Sequence, residues 1–63
     1  MDLLEQLREI KQTNSYDINK LNKIADEIEE EIGPAEMWNT LRPAFSVGEF
    51  LENLEYIARE HDL

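Results

Sequence analysis

The sequence has no cysteine, and its 63 residues include only two glycines, two prolines and one tryptophan. The lack of cysteine excludes disulfides and thiolate-bound metals, so a domain of this size must gain stability from helix packing or from association with another chain. The chain is long enough for one hydrophobic core, which predicts a single domain over residues 1–63. No apolar run approaches the roughly 18 residues of a membrane helix. We therefore expect a cytoplasmic protein with no membrane partner.

Basic residues are also scarce. The chain has 15 acidic and six basic residues, and its formal net charge is -9. Residues 1–23 are neutral overall, whereas residues 24–63 contain the whole acidic excess, with Arg42 and Arg59 as their only basic residues. Such a charge repels nucleic acid phosphates and anionic lipids. We therefore expect no direct binding of nucleic acid, and a protein partner with a basic surface.

Apolar residues recur at three- and four-residue spacing between capping residues, a pattern typical of amphipathic helices. Asp2 with Glu5, and Ser46 with Glu49, have the spacing of capping boxes, and Phe45 precedes Ser46 as in a hydrophobic staple to Phe50. The pattern predicts an all-α fold: a compact bundle of three main helices at about 3–12, 17–32 and 47–60, with a short helix at about 35–42. The apolar stripe of the second helix contains Ile18, Leu21, Ile24, Ala25, Ile28 and Ile32.

The second helix has its charges in an unfavourable order. Lys20 and Lys23 come first and the run of Glu29, Glu30 and Glu31 comes last, opposite to the preference of the helix dipole, at about 0.3–1 kcal/mol per misplaced charge. The first and last helices follow the preference. This exception indicates either a contact surface for a basic partner or a solvated face that only keeps the protein soluble. The three glutamates point about 100° apart, so we expect no metal site there.

The short helix combines Trp38 with Arg42, two residue types that are enriched at binding hot spots. The alternative interpretation makes Trp38 a core anchor, and the small size of the domain favours it. Tyr56 lies opposite the apolar stripe of the last helix and is predicted to be exposed. The candidate partner-binding residues are Glu27, Glu29, Glu30, Glu31, Trp38, Arg42 and Tyr56.

Catalytic groups are missing from the sequence. His61 is the only histidine and lies two residues before the last residue, and the sequence has no cysteine nucleophile and no nucleotide-binding glycine loop. We therefore expect no enzyme and no cofactor. The leading hypothesis is a non-catalytic protein–protein interaction module with an acidic surface, which could also self-associate through the stripe of the second helix. The alternative is an inhibitor that mimics nucleic acid and binds a DNA-binding protein or nuclease.

The chain closes with FLENLEYIAREHDL, residues 50–63. This stretch resembles the C-terminus of small acidic helical proteins of Gram-positive bacteria, their phages and mobile elements. The resemblance covers about a quarter of the chain. It implies a biological setting and no mechanism, because that group has no established activity.

Overall fold

The computed structural model describes residues 2–63, which form four α-helices and no strand. Helix α1 spans Leu3–Thr13, α2 spans Ile18–Ile32, α3 spans Pro34–Thr40 and α4 spans Val47–Glu60. The all-α class is confirmed, and the bounds of the three main helices agree with the prediction to within one residue.

The predicted end of the short helix, at residue 42, is wrong. Helix α3 begins at Pro34, whose fixed φ suits the first helical position, and it ends at Thr40. Leu41 is already extended, with φ -67° and ψ 128°. Pro43 disfavours helical geometry at the residue before it, and the chain leaves the helix one residue earlier still. Helix α3 therefore makes only about two turns.

Side-chain caps define the starts of the three longer helices. Asp2 Oδ1 accepts a hydrogen bond from the N–H of Glu5 at 2.7 Å, and Asp17 Oδ1 accepts one from Asn19 at 2.9 Å. Ser46 Oγ accepts one from the N–H of Glu49 at 3.2 Å. Each cap provides a partner for an amide that the helix itself leaves unpaired. The caps that the sequence pattern predicted at Asp2 and Ser46 are confirmed.

Helices α1 and α4 end in the same way. Asn14 and Asp62 have positive φ angles of 54° and 55°, a conformation that Asn and Asp adopt more readily than most residues. The next N–H then bonds to the carbonyl five residues earlier, as Ser15 does to Ile10 at 3.1 Å. This Schellman arrangement satisfies carbonyls at the helix end. It explains why the polar stretch after α1 stops that helix.

The core lies where α4 packs against α1 and α2. Helix α4 makes its most extensive contact with α1, while α3 packs against α2. Helix α3 contributes one buried side chain, Met37. Within residues 2–63 the buried core contains no polar or charged side chain. The large side chains that are fully buried are Leu7, Leu21, Ile28, Leu51, Leu54 and Ile57.

Two side chains that the sequence pattern assigned to apolar contacts are exposed. Ile18 is 45% exposed, because it is the first residue of α2 and lies at the edge of the stripe that faces the core. Phe45 is 89% exposed, so the predicted staple to Phe50 is wrong. Phe50 packs against the core cluster instead. Both exposed side chains therefore remain available on the surface.

The sharp turn between α2 and α3 depends on Gly33, which has φ 89° and ψ 150°. We expect Gly33→Ala to lower the free energy of unfolding by about 1–3 kcal/mol, because this conformation is nearly restricted to glycine. The loss should occur even though nothing lies within 4 Å of the added Cβ. Urea denaturation followed by circular dichroism measures it.

Gly48→Ala is the matched control in the first turn of α4. Its added Cβ would make an ordinary contact with Ser46 Oγ at 3.9 Å. We expect this variant to raise the free energy of unfolding by about 0.4–1 kcal/mol, because alanine loses less backbone entropy on folding than glycine does. A change of the same sign in both variants would contradict the role given to Gly33.

Candidate protein-binding surface

The basic side chains of the described chain gather in two grooves that α1 helps to form. The groove between α1 and α2 contains Lys20 and Lys23, and the groove across the outer side of α4 contains Lys11, Arg42 and Arg59. Five of the six basic residues are thus accounted for. Two further depressions, both on the side of α2 that carries α3, are lined by no basic residue. The two lysines of α2 therefore line the groove on its α1 side, together with acidic residues.

One of the two depressions without basic residues lies where α2 meets α3, and it contains three carboxylates. It is lined by Asp26, Glu29, Glu30, Gly33 and Pro34. The carboxylates occupy positions i, i+3 and i+4 of α2, so they share one face of the helix. Their repulsion costs about 0.2–0.5 kcal/mol per pair, and no cation among the lining residues offsets it. The depression therefore favours a positively charged contact.

Trp38 is 70% exposed, so its interpretation as a core anchor is wrong. Met37 takes the buried position of α3, and Leu41, four residues later, is partly buried on the same side. Trp38 follows Met37 by about 100° around the helix and lies four residues after Pro34, which places it on the same face of α3 as Pro34. Pro34 lines the acidic depression. Trp38 thus lies about one turn along α3 from Pro34, on the face of that helix that borders the depression.

We call this surface the α3 face. It is composed of Asp26, Glu29, Glu30, Pro34 and Trp38. Three of these residues were predicted from the sequence, and Asp26 and Pro34 were not. A signal for Asp26 was present, because it precedes Glu29 and Glu30 by one helical turn.

Glu27 and Glu31 lie away from the α3 face. Glu27 lines the groove between α1 and α2 together with Lys20 and Lys23, and Glu31, four residues later, shares that side of α2. The predicted acidic run is therefore divided between two sides of the helix. Among residues 2–63, no three or more His, Cys, Asp or Glu side chains are grouped so that they could hold a metal ion.

Arg42 and Tyr56 form a separate surface on the outer side of α4. The guanidinium carbon of Arg42 lies 5.5 Å from the centroid of the Tyr56 ring, a cation–π distance. Asn53 Nδ2 donates to the carbonyl of Arg42 at 2.9 Å. Tyr56 is 41% exposed, which confirms its predicted exposure. The positive charge of Arg42 therefore already has a contact within the chain, with the ring of Tyr56.

An ion pair supports the same groove. Lys11 Nζ lies 3.9 Å from Glu55 Oε1, which joins α1 to α4. The groove also contains Glu52 and Arg59, so acidic and basic side chains are both present. It therefore lacks the single sign of charge that distinguishes the α3 face.

His61 has a structural contact that the sequence did not reveal. Its Nε2 lies 3.7 Å from Glu36 Oε1, and this contact joins the end of α4 to the first turn of α3. The side chain is partly buried. His61 therefore helps to hold α3 in place, on the side of that helix away from Trp38.

Fold and surface together define a small all-α bundle with an exposed tryptophan on α3 and, where α2 meets α3, a depression whose charged lining residues are all acidic. Comparison of the chain with protein-family models, with curated proteins and with solved structures gives no match. Along residues 2–63, no helix has both the length and the apolar character needed to cross a membrane.

The exposure of Trp38 predicts that it contributes little to folding. We expect Trp38→Ser to change the free energy of unfolding by less than about 0.5 kcal/mol, as is usual for surface positions. Leu54→Ala removes a fully buried side chain and should cost about 2–5 kcal/mol. Urea denaturation followed by circular dichroism compares them. A loss at Trp38 as large as that at Leu54 would show that the indole is part of the core.

Proposed function

We propose that this protein is a non-catalytic protein-binding domain, and that its α3 face binds a basic surface on another protein. The observation that carries the proposal is the exposed indole of Trp38 on the same face of α3 as Pro34, which lines a depression with three carboxylates and no cation. A cytoplasmic location is part of the proposal, and the lack of cysteine supports it. Mimicry of nucleic acid is the special case in which the partner surface is a DNA-binding groove.

The tryptophan supplies the apolar part of such a contact. Burial of a tryptophan side chain at an interface removes on the order of 150 Å² from water, worth about 4 kcal/mol at 25 cal/mol per Å². Trp38 loses little rotational freedom on binding because an indole has only two side-chain torsions. An exposed tryptophan on a short, well-supported helix is therefore an efficient anchor.

The carboxylates supply selectivity. Asp26, Glu29 and Glu30 repel one another in the unbound protein, and lysine or arginine side chains of a partner would relieve that repulsion. Charges at the rim of an interface act mainly on association rate and on the choice of partner. Salt should therefore weaken the complex, while the contact of Trp38 should persist at high salt.

Two triple variants of equal charge test the proposal. The first changes Asp26→Asn, Glu29→Gln and Glu30→Gln on the α3 face. The second changes Glu9→Gln on α1, and Glu27→Gln and Glu31→Gln on the side of α2 that faces α1. Partners captured by the unchanged protein from an extract of the cells that produce it are purified, and their Kd for each variant is measured by calorimetry at several salt concentrations.

We expect the α3-face variant to raise Kd about tenfold, since three rim charges at about 0.2–1 kcal/mol each sum to about 0.6–3 kcal/mol, a range that includes the 1.4 kcal/mol of one decade. The control variant should change Kd by less than about threefold. Trp38→Ser should weaken binding at every salt concentration. Equal weakening by the two triple variants would mean that only net charge matters, and the proposal would then be wrong.

A further inference from the structure

An apolar depression lies at the start of α2, where the loop after α3 meets α4. Apart from Ser46, its lining residues are apolar: Ile18, Ala44, Phe45, Val47 and Phe50. We call it the Phe45 patch. Single exposed apolar residues are ordinary on protein surfaces, whereas contiguous ones mark sites of interaction. Phe45 and Ile18 are both exposed and line the same depression. The patch is therefore a contiguous apolar surface of the type that marks an interaction site.

Hydrogen bonds on both sides of Phe45 hold the loop in place. The backbone N–H of Phe45 donates to Glu49 Oε2 at 3.1 Å, and the N–H of Glu49 donates to the hydroxyl of Ser46 at 3.2 Å. The backbone that carries the exposed ring is thus tied to the first turn of α4. A side chain presented in this way needs little further ordering on binding.

The rim of the patch is acidic. Asp17 caps α2 next to Ile18, and Glu49 holds the backbone of Phe45. Lys20 and Lys23 point roughly 140–160° away from Ile18 around the axis of α2, at about 100° per residue, and both line the groove with α1. The guanidinium of Arg42 lies over Tyr56. An apolar residue flanked by lysine or arginine is the chemistry that matches this rim.

The patch and the α3 face lie on the same side of α2. Glu29 follows Ile18 by 11 residues, which is about 16 Å along a helix axis and returns to within roughly 20° of the same direction. Helix α3 packs against α2 and exposes Trp38. A partner helix of about three turns would span this interval of α2.

We propose that the Phe45 patch receives apolar side chains of an amphipathic basic helix that belongs to another protein. This inference rests on the proposed function and names the partner's chemistry: apolar residues at helical spacing that contact Phe45 and Ile18, with lysine or arginine beside them to meet the carboxylates. Recognition of amphipathic helices through anchors spaced by helical turns is a general mode of peptide binding.

A second copy of this chain matches the patch less well. Two copies that met through their Phe45 patches would bring Asp17 and Glu49 of both chains together, and each chain has a net charge of -9. Like charges facing each other across an interface oppose association. The charge of the rim therefore selects a basic partner over self-association.

Three synthetic helical peptides of about 14 residues, roughly four turns, test the inference. The first has leucines at helical spacing and lysines elsewhere, the second has glutamates in place of the lysines, and the third has serines in place of the leucines. Each is titrated into the ¹⁵N-labelled full chain, and amide shifts are followed by NMR. We expect the Lys/Leu peptide to shift the amides of Ile18, Phe45, Val47 and Phe50, and the other two peptides to bind about tenfold or more weakly.

Phe45→Ser and Trp38→Ser separate this inference from the proposed function. Both replace exposed aromatic side chains, so both variants should remain folded. We expect Phe45→Ser to weaken the Lys/Leu peptide about tenfold or more, and Trp38→Ser to leave the shifts at Ile18 and Phe50 in place at saturation. If only amides of the α3 face shift, and Phe45→Ser binds as the unchanged protein does, the inference is overturned while the proposed function stands.

The same titrations also show whether the proposed function fails while the inference stands. Shifts at the Phe45 patch that survive both Trp38→Ser and the α3-face triple variant at unchanged Kd would support the patch and count against the proposed function. Equal binding of the Glu/Leu and Lys/Leu peptides would overturn the choice of a basic partner. A dimer of the free chain in sedimentation equilibrium that Phe45→Ser abolishes would overturn the inference as well, because a second copy would then cover the patch.

Discussion

The burial of one face of α4 is the interaction on which the rest of this structure depends. Leu51, Leu54 and Ile57 are fully buried, and α4 packs against both α1 and α2. A chain of 63 residues provides a single core, and these three helices fill it. Helix α3 packs on α2 at the edge of that core and adds only Met37 to its buried residues. Its outer side is consequently left to solvent.

The shortness of α3 explains why the tryptophan is exposed. A helix of seven residues makes about two turns, so its inward stripe has room for Met37 and then for the partly buried Leu41 that follows the helix. Trp38 falls outside this stripe. Within residues 2–63 no further helix covers this side chain. The proposed function assigns that cover to a partner.

Helix α2 divides the surface by charge. Its lysines face α1, and Asp26, Glu29 and Glu30 lie beside α3. The same order of charges opposes the helix dipole, so this helix bears a small cost in stability. The result is one side of the molecule with mixed charge and one side with carboxylates, an exposed indole and an exposed phenyl ring. An unfavourable local order thus coincides with a distinct surface, which is common where function competes with stability.

The amino-acid pattern determined the helical class, the three long helices and two of their caps, because these follow from spacing and capping over a few residues. It also indicated that Glu29, Glu30 and Glu31 diverge, since a helix rotates by a fixed angle at each residue. It could not assign the inward side of α3, because both Met37 and Trp38 are apolar enough to be buried.

Only the packing of α3 on α2 decided that Met37 is inside and Trp38 outside. The tertiary structure likewise decided the exposure of Phe45 and Ile18. Their spacing in the sequence suits burial, but both side chains are exposed. Tertiary structure also separated Glu27 and Glu31 from Glu29 and Glu30, by placing α1 and α3 on different sides of α2. Local sequence specifies which faces a helix has, whereas the neighbours that cover those faces are fixed by contacts between residues far apart in the chain.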